Sequence, residues 1–369
     1  MKPIIAVPAI LAIVYRAWSR NSLTPLGLFV ATLTAVGHAI HPWSFSFTLL
    51  GVFFLAGTRV TKVKHDIKVR LTQSASGASG GEGPRTHVQV LANSLVALIL
   101  TVLHAWVLSK RDVAQSQEDC WHRPSAKYPE DVLVVGIVAN YVAVAADTFS
   151  SELGILASSS PRLITAPWRT VPRGTNGGVT LTGIIAGLAG SGLLAATAGL
   201  LLPFCAGTGA TKRKIPGFGH IDEYSWDWQG KLGFVLAMTA VGLGGSLLDS
   251  IMGALVQASV VDVRTGKVVE GDGGNRVQLH SRKSWQVDGP ASNTTGAKAS
   301  LGQAQRRKGV ESSGTEEKGE SRRLEVGWDL LDNNGVNFAM AFAMSAAAMV
   351  GACIVWEIPL GAVVDSILN

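Results

Sequence analysis

Cysteine is scarce: Cys120, Cys205 and Cys353 are the three in 369 residues. They lie far apart with no C-x-x-C pair, so their spacing indicates neither a zinc site nor a disulfide framework. The histidines are equally scattered. His38 and His41 fall at i,i+3 but flank Pro42 at an expected helix end, where a solvated interfacial role suits histidine chemistry. Large apolar residues are almost missing between Gly271 and Arg323, a stretch rich in Gly, Ser, Lys, Glu and Gln. Such a chain cannot bury enough surface to offset its ordering entropy, and a disordered cytosolic insert is expected.

Elsewhere the chain is dominated by apolar runs at Ile4 to Val14, Pro25 to Ile40, Phe45 to Ala56, Val88 to Leu108, Val132 to Ala146, Val179 to Leu202, Leu232 to Val256 and Val336 to Ile358. Several reach the roughly 20 residues that span hydrocarbon, and the shorter ones must be half-buried, tilted or re-entrant. The fold class expected is all-α: a polytopic integral membrane bundle of about seven or eight helices. Residues 1–270 form its first seven helices, 271–324 the insert, and 325–369 the last helix. Trp18, Trp43, Trp106, Trp121, Trp226, Trp228 and Trp356 cluster near the ends of these runs, as an interfacial belt would. The first run also has features of a secretory signal, but it lacks a clean small-x-small cleavage site and is read as a retained helix.

The net charge of +6 is arranged by side. Loops after odd-numbered helices hold Arg20, then Arg59, Lys62, Lys64, Lys68, Arg70 and Arg85, then Arg162, Arg169 and Arg173; loops after even-numbered helices hold fewer. That bias makes the odd loops cytosolic and the N terminus lumenal, and it needs no nucleic-acid partner. Between Val260 and Val269, apolar residues alternate around a Thr-Gly turn, which predicts a short hairpin.

Charged residues at a bilayer centre cost roughly 2.5–3.5 kcal/mol, so acids within apolar helices are paired, metal-bound or catalytic. Asp147 and Glu152 close the fifth helix. Ser150, Ser151 and Gly154 join Asp147 on one face if that helix continues. Gly245, Asp249, Gly253 and Gln257 recur at i,i+4 in the seventh, a small, polar face in an apolar segment. Lys62 and Asp66 at i,i+4 suit a surface pair, and Asp332 before Asn333 and Asn334 suits an N-cap. The two acidic faces leave room for a phosphate carrying Mg²⁺, which is held by one or two carboxylates plus phosphate oxygens. The turn Val171-Pro-Arg-Gly-Thr-Asn-Gly-Gly178 leads into the sixth helix and offers backbone amides to an anion, with Arg173 beside it. It is no Walker A loop, since it lacks the Gly-Lys-Ser/Thr ending. Gly183-x-x-x-Gly187 reads as helix packing.

Taken together, Gly57-Thr-Arg-Val-Thr-Lys-Val-Lys, Val88-Gln-Val, Asp147-Thr-Phe-Ser-Ser-Glu152, Ser160-Pro-Arg-Leu-Ile-Thr165, Val171-Pro-Arg-Gly-Thr-Asn-Gly-Gly-Val179, Leu248-Asp-Ser-Ile-Met-Gly-Ala254, Thr265-Gly-Lys-Val-Val and Leu331-Asp-Asn-Asn-Gly-Val-Asn337 resemble the transmembrane protein 19 family. That family includes the plant and cyanobacterial phytyl-phosphate kinases. The match leaves out the first helix and the insert. Phe149 and Ser150 stand where the family has Trp and Ala, and Ser94 where it has Gly.

The resemblance implies a phosphotransferase that moves a phosphoryl group from a nucleoside triphosphate, CTP being the donor expected, to an isoprenoid monophosphate. Asp147, Glu152, Asp249 and Asp332 would hold the metal directly or through water. Arg59, Lys62 and Arg173 would neutralise phosphates with the Gly174 and Gly177 turn, while Asn176, Asn333, Asn334 and Asn337 orient oxygens or ribose. The partners implied are the isoprenoid phosphate, the nucleotide and membrane lipid, in the endoplasmic reticulum or another endomembrane. Two alternatives share these residues: a cytidylyltransferase that forms a CDP-lipid, and a transporter with midplane carboxylates. The one-sided placement of the polar residues argues against alternating access.

Overall fold

The structure is a computed structural model, and it describes residues 1–75, 83–111, 120–123, 125, 127–205, 212–215, 219–222, 226–277 and 322–368. In chain order its helices are α1 (Pro3–Ser19), α2 (Pro25–Ile40), α3 (Phe45–Thr61), α4 (His65–Leu71), α5 (His87–Lys110), α6 (Val132–Gly154), α7 (Leu181–Leu201), α8 (Trp228–Val256), α9 (Asn333–Val355) and α10 (Leu360–Leu368). Its strands are β1 (Gln73–Ser74), β2 (Arg162–Leu163), β3 (Ala166–Thr170), β4 (Gly178–Val179), β5 (Lys212–Ile215), β6 (Gly219–Asp222), β7 (Ser259–Asp262), β8 (Val268–Glu270) and β9 (Arg322–Val326). Each of the eight apolar runs forms a helix, so the all-α membrane bundle is what the chain builds. Five helices, α5 to α9, are long and apolar enough to cross a membrane. The pair α3 and α4, bent by 70°, makes a sixth candidate, while α1 and α2 are shorter apolar helices.

Helix α6 is the axis of the bundle. Every residue from Val132 to Ala146 is buried, because α3, α5, α7, α8 and α9 all pack on it. Such close approach needs small residues on the neighbours. A Cβ on Gly190 of α7 would sit 2.8 Å from the Ala145 carbonyl oxygen, and one on Gly242 of α8 would sit 2.7 Å from that of Val142. The Gly183 and Gly187 pair likewise faces α6, against Gly154 and Ser150, as packing and not chemistry.

Short sheets cap one end of this bundle. Strands β7 and β8 form the hairpin expected between Val260 and Val269, with Val260 opposite Val269 and Gly266 at φ 66° in the turn. The amides of Thr265 and Arg264 both bond the Asp262 carboxylate and hold its pKa below the usual range. Strand β1 pairs with β8 in parallel and β9 with β7 antiparallel, giving the order β1-β8-β7-β9. A second sheet at this end has the order β3-β2-β4, while β5 pairs with β6 in the α7–α8 connection. These strands were not foreseen apart from the hairpin, since two- to five-residue strands carry little periodicity. The disordered-insert expectation falls, for residues 278–321, outside the described residues. The flanks are ordered: β9 begins at Arg322, and Asn334 donates to the Gly273 carbonyl at 3.0 Å.

The opposite end corrects three expectations. Cys120 and Cys205 form a disulfide across 85 residues, joining the chain before α6 to the chain after α7. Spacing could not reveal it, because the antiparallel α6–α7 pair is what brings the two cysteines together. His38 and His41 are fully buried instead of solvated. His38 meets the Tyr141 hydroxyl at 2.6 Å, and His41 meets His104 at 2.8 Å, which in turn reaches Asp131 at 3.3 Å. Trp43, Trp121 and Trp226 are buried, with Trp121 stacked on Trp226 at 4.6 Å, so they form core, and the exposed Trp18, Trp106 and Trp228 remain for an interface. At the other end, Lys64 at φ 47° breaks the chain between α3 and α4, which removes the i,i+4 relation of Lys62 and Asp66.

Two outcomes are expected. Alkylating the denatured, unreduced protein should modify Cys353 alone, and reduction should add two sites; three sites before reduction would exclude the bridge. In sealed microsomes, an impermeant reductant followed by an impermeant maleimide should reach Cys120 and Cys205 only after permeabilisation, because disulfides persist in oxidising compartments. Separately, deleting 278–321 should leave the melting temperature and turnover nearly intact, since both strand ends of the sheet are retained. A collapse of expression would show that the segment is part of the fold.

Candidate functional site

The acid pair comes from two helices that meet at the sheet-capped end. The apolar run of α6 continues as a helix to Gly154, so Asp147, Ser150, Ser151 and Gly154 all turn toward one cavity. Helix α8 delivers Asp249, Gly253 and Gln257 to the same space, while Gly245 is used for packing against Ala143. The Asp147 and Asp249 carboxyls are close neighbours that act on each other electrostatically. Two half-buried carboxylates this close repel, and a proton or a cation between them relieves the repulsion. Asn337, with its amide oriented to satisfy its neighbours, donates to Asp249 at 3.2 Å and to the Asn333 carbonyl at 3.1 Å.

The cavity has a volume of about 370 Å³. Its floor is the glycine-rich turn between β3 and β4. Gly174 and Gly177 adopt φ 85° and 75°, and a Cβ on Gly177 would lie 2.7 Å from the Ser250 carbonyl oxygen, so the turn can lie directly on α8. Sheet and turn are tied by the Asn176 amide, which donates to Ser259 Oγ at 2.9 Å. The first turn of α7 is capped by its own Thr180, whose Oγ1 accepts from the Gly183 amide at 3.0 Å.

Sequence reasoning is met unevenly here. Asp147, Glu152, Asp249, Asp332, Gly174, Asn176, Gly177, Asn333 and Asn337 all line the cavity. Two of these acids are already engaged: Glu152 bonds Lys68 at 2.5 Å, and Asp332 caps α9 by accepting from the Gly335 amide at 2.8 Å. Arg59, Lys62, Arg173 and Asn334 do not line it. Arg59 lies in the last turn of α3 and Lys62 follows it, and both are exposed. Arg173 donates to the carbonyls of Ile155, Ala157 and Ser158, closing the end of α6, and Asn334 is buried against Gly273.

The cations that do line the cavity are Lys68, Arg85 and Arg276. Sequence reasoning counted Lys68 and Arg85 only toward topology. Nothing local marks them: Lys68 arrives through the sharp α3–α4 bend, and Arg85 through a bridge to Leu23 in the α1–α2 connection.

Residues 8–345 match the family described as Integral membrane protein DUF92. The chain is 34% identical over 253 residues to Protein PGR of Arabidopsis thaliana, covering 67% of this chain and 76% of that protein. It is 29% identical over 209 residues to an uncharacterized membrane protein of Methanocaldococcus jannaschii, covering 57% and 64% of the two chains. Over 152 residues it is 29% identical to the chloroplastic Protein VTE6 of Arabidopsis thaliana, covering 41% of this chain and 39% of that one. The chain thus spans less than two thirds of the length of these last two relatives. No solved structure matches it. A family match across nearly the whole bundle, motif turns included, makes this chain a member of the Integral membrane protein DUF92 family, the group to which its transmembrane protein 19 resemblance points.

Proposed function

We propose that the chain is an isoprenoid (prenyl- or phytyl-type) monophosphate kinase that transfers the γ-phosphoryl group of CTP to the acceptor phosphate, giving the diphosphate and CDP. The observation that carries this reading is the Asp147–Asp249 pair, set with Asn337 and the glycine-rich turn in one cavity at one end of a membrane bundle. The family resemblance supplies the donor and the acceptor class.

Phosphoryl transfer asks the protein mostly for positioning and charge stabilisation. An oxygen of the acceptor phosphate attacks the γ-phosphorus as the bond to the β–γ bridging oxygen breaks. That oxygen is already anionic, so no strong general base is needed. The donor set fits magnesium, which prefers carboxylate oxygens and substrate phosphates. When bound, Mg²⁺ supplies neutralisation of the charge that develops on the leaving group. Asp147 and Asp249 would hold it. Asn337 fixes the rotamer of Asp249, and Lys68 holds Glu152 in place. Asp332 orders the first turn of α9, which places Asn333 and Asn337.

Asp147→Asn and Asp249→Asn should insert and fold normally, because volume and shape are preserved, and lose about 10²-fold or more in turnover, the scale for removing a major electrostatic contributor. The assay pairs the purified protein with a panel of prenyl monophosphates and each nucleoside triphosphate, reading CDP against pyrophosphate. Pyrophosphate as product would convert the reading to a cytidylyltransferase. Near wild-type turnover in both folded variants would make the carboxyls structural.

A further inference from the structure

The charges of the cavity do not cancel evenly. Of the three lysine and arginine side chains that line it among the described residues, Lys68 is spent on Glu152 and on the Val60 and Thr61 carbonyls, at 2.5, 3.1 and 2.7 Å. Arg276 lies 3.6 Å from Asp329 and donates to the Leu330 carbonyl. Arg85, half-buried, pairs with no carboxylate among the described residues, and its guanidinium donates only to the Thr61 hydroxyl, at 3.3 Å. A guanidinium has five donors in a rigid fork, so most of Arg85's capacity is open toward the cavity.

Its position is fixed from behind. The Arg85 amide donates to the Ser22 carbonyl at 3.1 Å, and its carbonyl accepts from the Thr24 amide at 3.0 Å, so the α1–α2 connection clamps the backbone on both sides. The next residue, Thr86, starts α5 with a reciprocal capping box to Gln89. In front lies Gly57 of α3. A Cβ there would lie 3.7 Å from both terminal nitrogens of Arg85 and 3.7 Å from Cγ2 of Thr148, the neighbour of Asp147. Arg85 and the acidic turn of α6 therefore face each other across Gly57.

The face of α3 that frames this gap is graded. Phe53, Gly57 and Thr61 recur at i,i+4 and so run along one face, apolar inside the bundle and hydroxyl-bearing at its end. A ligand with an anionic head and an apolar body matches that order. The glycine-rich turn, Asn333 and Asn337 belong to the other elements of the site, β3–β4 and α9.

We propose that Arg85, with Thr61, binds the phosphate of the apolar acceptor, forming a phosphate-monoester subsite on the α3–α5 wall across from Asp147. This deepens the kinase reading and rests on it for the identity of the acceptor. The bidentate geometry of guanidinium and phosphate gives Arg85 a role that lysine fills only in part.

The test reads binding, not turnover. Purified full-length protein in detergent is titrated with farnesyl phosphate, and separately with CTP, while thermal stabilisation is followed. The half-saturating farnesyl phosphate concentration should rise about tenfold or more in Arg85→Ala and less in Arg85→Lys, consistent with loss of a charge-assisted bond. The CTP curve should stay within about twofold, and Arg59→Ala and Lys62→Ala should leave both curves alone. If Arg85→Ala does not fold, Arg85→Lys and Arg85→Gln carry the same measurement. An unchanged farnesyl phosphate curve, a loss confined to CTP, or a wild type that shows no saturable stabilisation would each overturn the subsite. Arg85-dependent binding without phosphoryl transfer would leave the subsite standing and remove the kinase reading instead.

Discussion

The encirclement of α6 is the constraint on which the rest of the structure depends. A helix covered on every side by five others has no lipid-facing stripe, and its neighbours can come close only where they present glycine. Gly190 on α7 and Gly242 and Gly245 on α8 meet this demand. In lipid there is little hydrophobic gain in bringing helices together, so such close van der Waals contact is a principal source of association. Cβ atoms at these sites would force the helices apart. Asp147 lies on α6 and Asp249 on α8, so the spacing of the acid pair is set by the Gly242 and Gly245 contacts between those two helices.

Encirclement also explains why the two ends of the bundle differ. At the end away from the site, the buried acids are paired. Arg111 donates to Glu130 and Asp131 at 2.5 and 2.6 Å, Asp131 also meets His104, and the amide of His122 donates to Asp131 at 3.0 Å. The Cys120–Cys205 bridge closes this end over Trp121 and Trp226. Buried networks of this kind are costly when incomplete and rigid when satisfied. At the sheet-capped end, by contrast, two carboxyls are pressed together and one arginine keeps most of its donors unspent. The proposed chemistry is accordingly placed at the second end, where polar groups face a cavity.

The small sheet serves that end. Its strands are too short to be stable alone, yet β7 holds the glycine-rich turn through Ser259, and the segment after β8 is tied to α9 through Asn334 and Gly273. The turn, the last helix and the ends of α6 and α8 are thereby fixed relative to one another. Asn334 and Arg173, which looked like ligand-binding groups, are the fastenings of this assembly.

The sequence by itself determined the class of fold, the eight apolar helices, the β7–β8 hairpin and acids that come to line the cavity, because each of these is a local property. A run of apolar residues, a Thr-Gly turn, or an aspartate within a hydrophobic helix carries its physical meaning without knowledge of distant neighbours. Tertiary structure decided which polar groups are free. Arg173 sits beside the glycine-rich turn in sequence but is consumed by the open carbonyls at the end of α6, whereas Arg85, outside the quoted motifs, arrives at the cavity through a bridge to the α1–α2 connection. His38, His41 and the two bridged cysteines were misread for the same reason. Their partners lie 103, 63 and 85 residues away, and no spacing rule reaches across such distances; only the packing of helices around α6 brings these groups into contact.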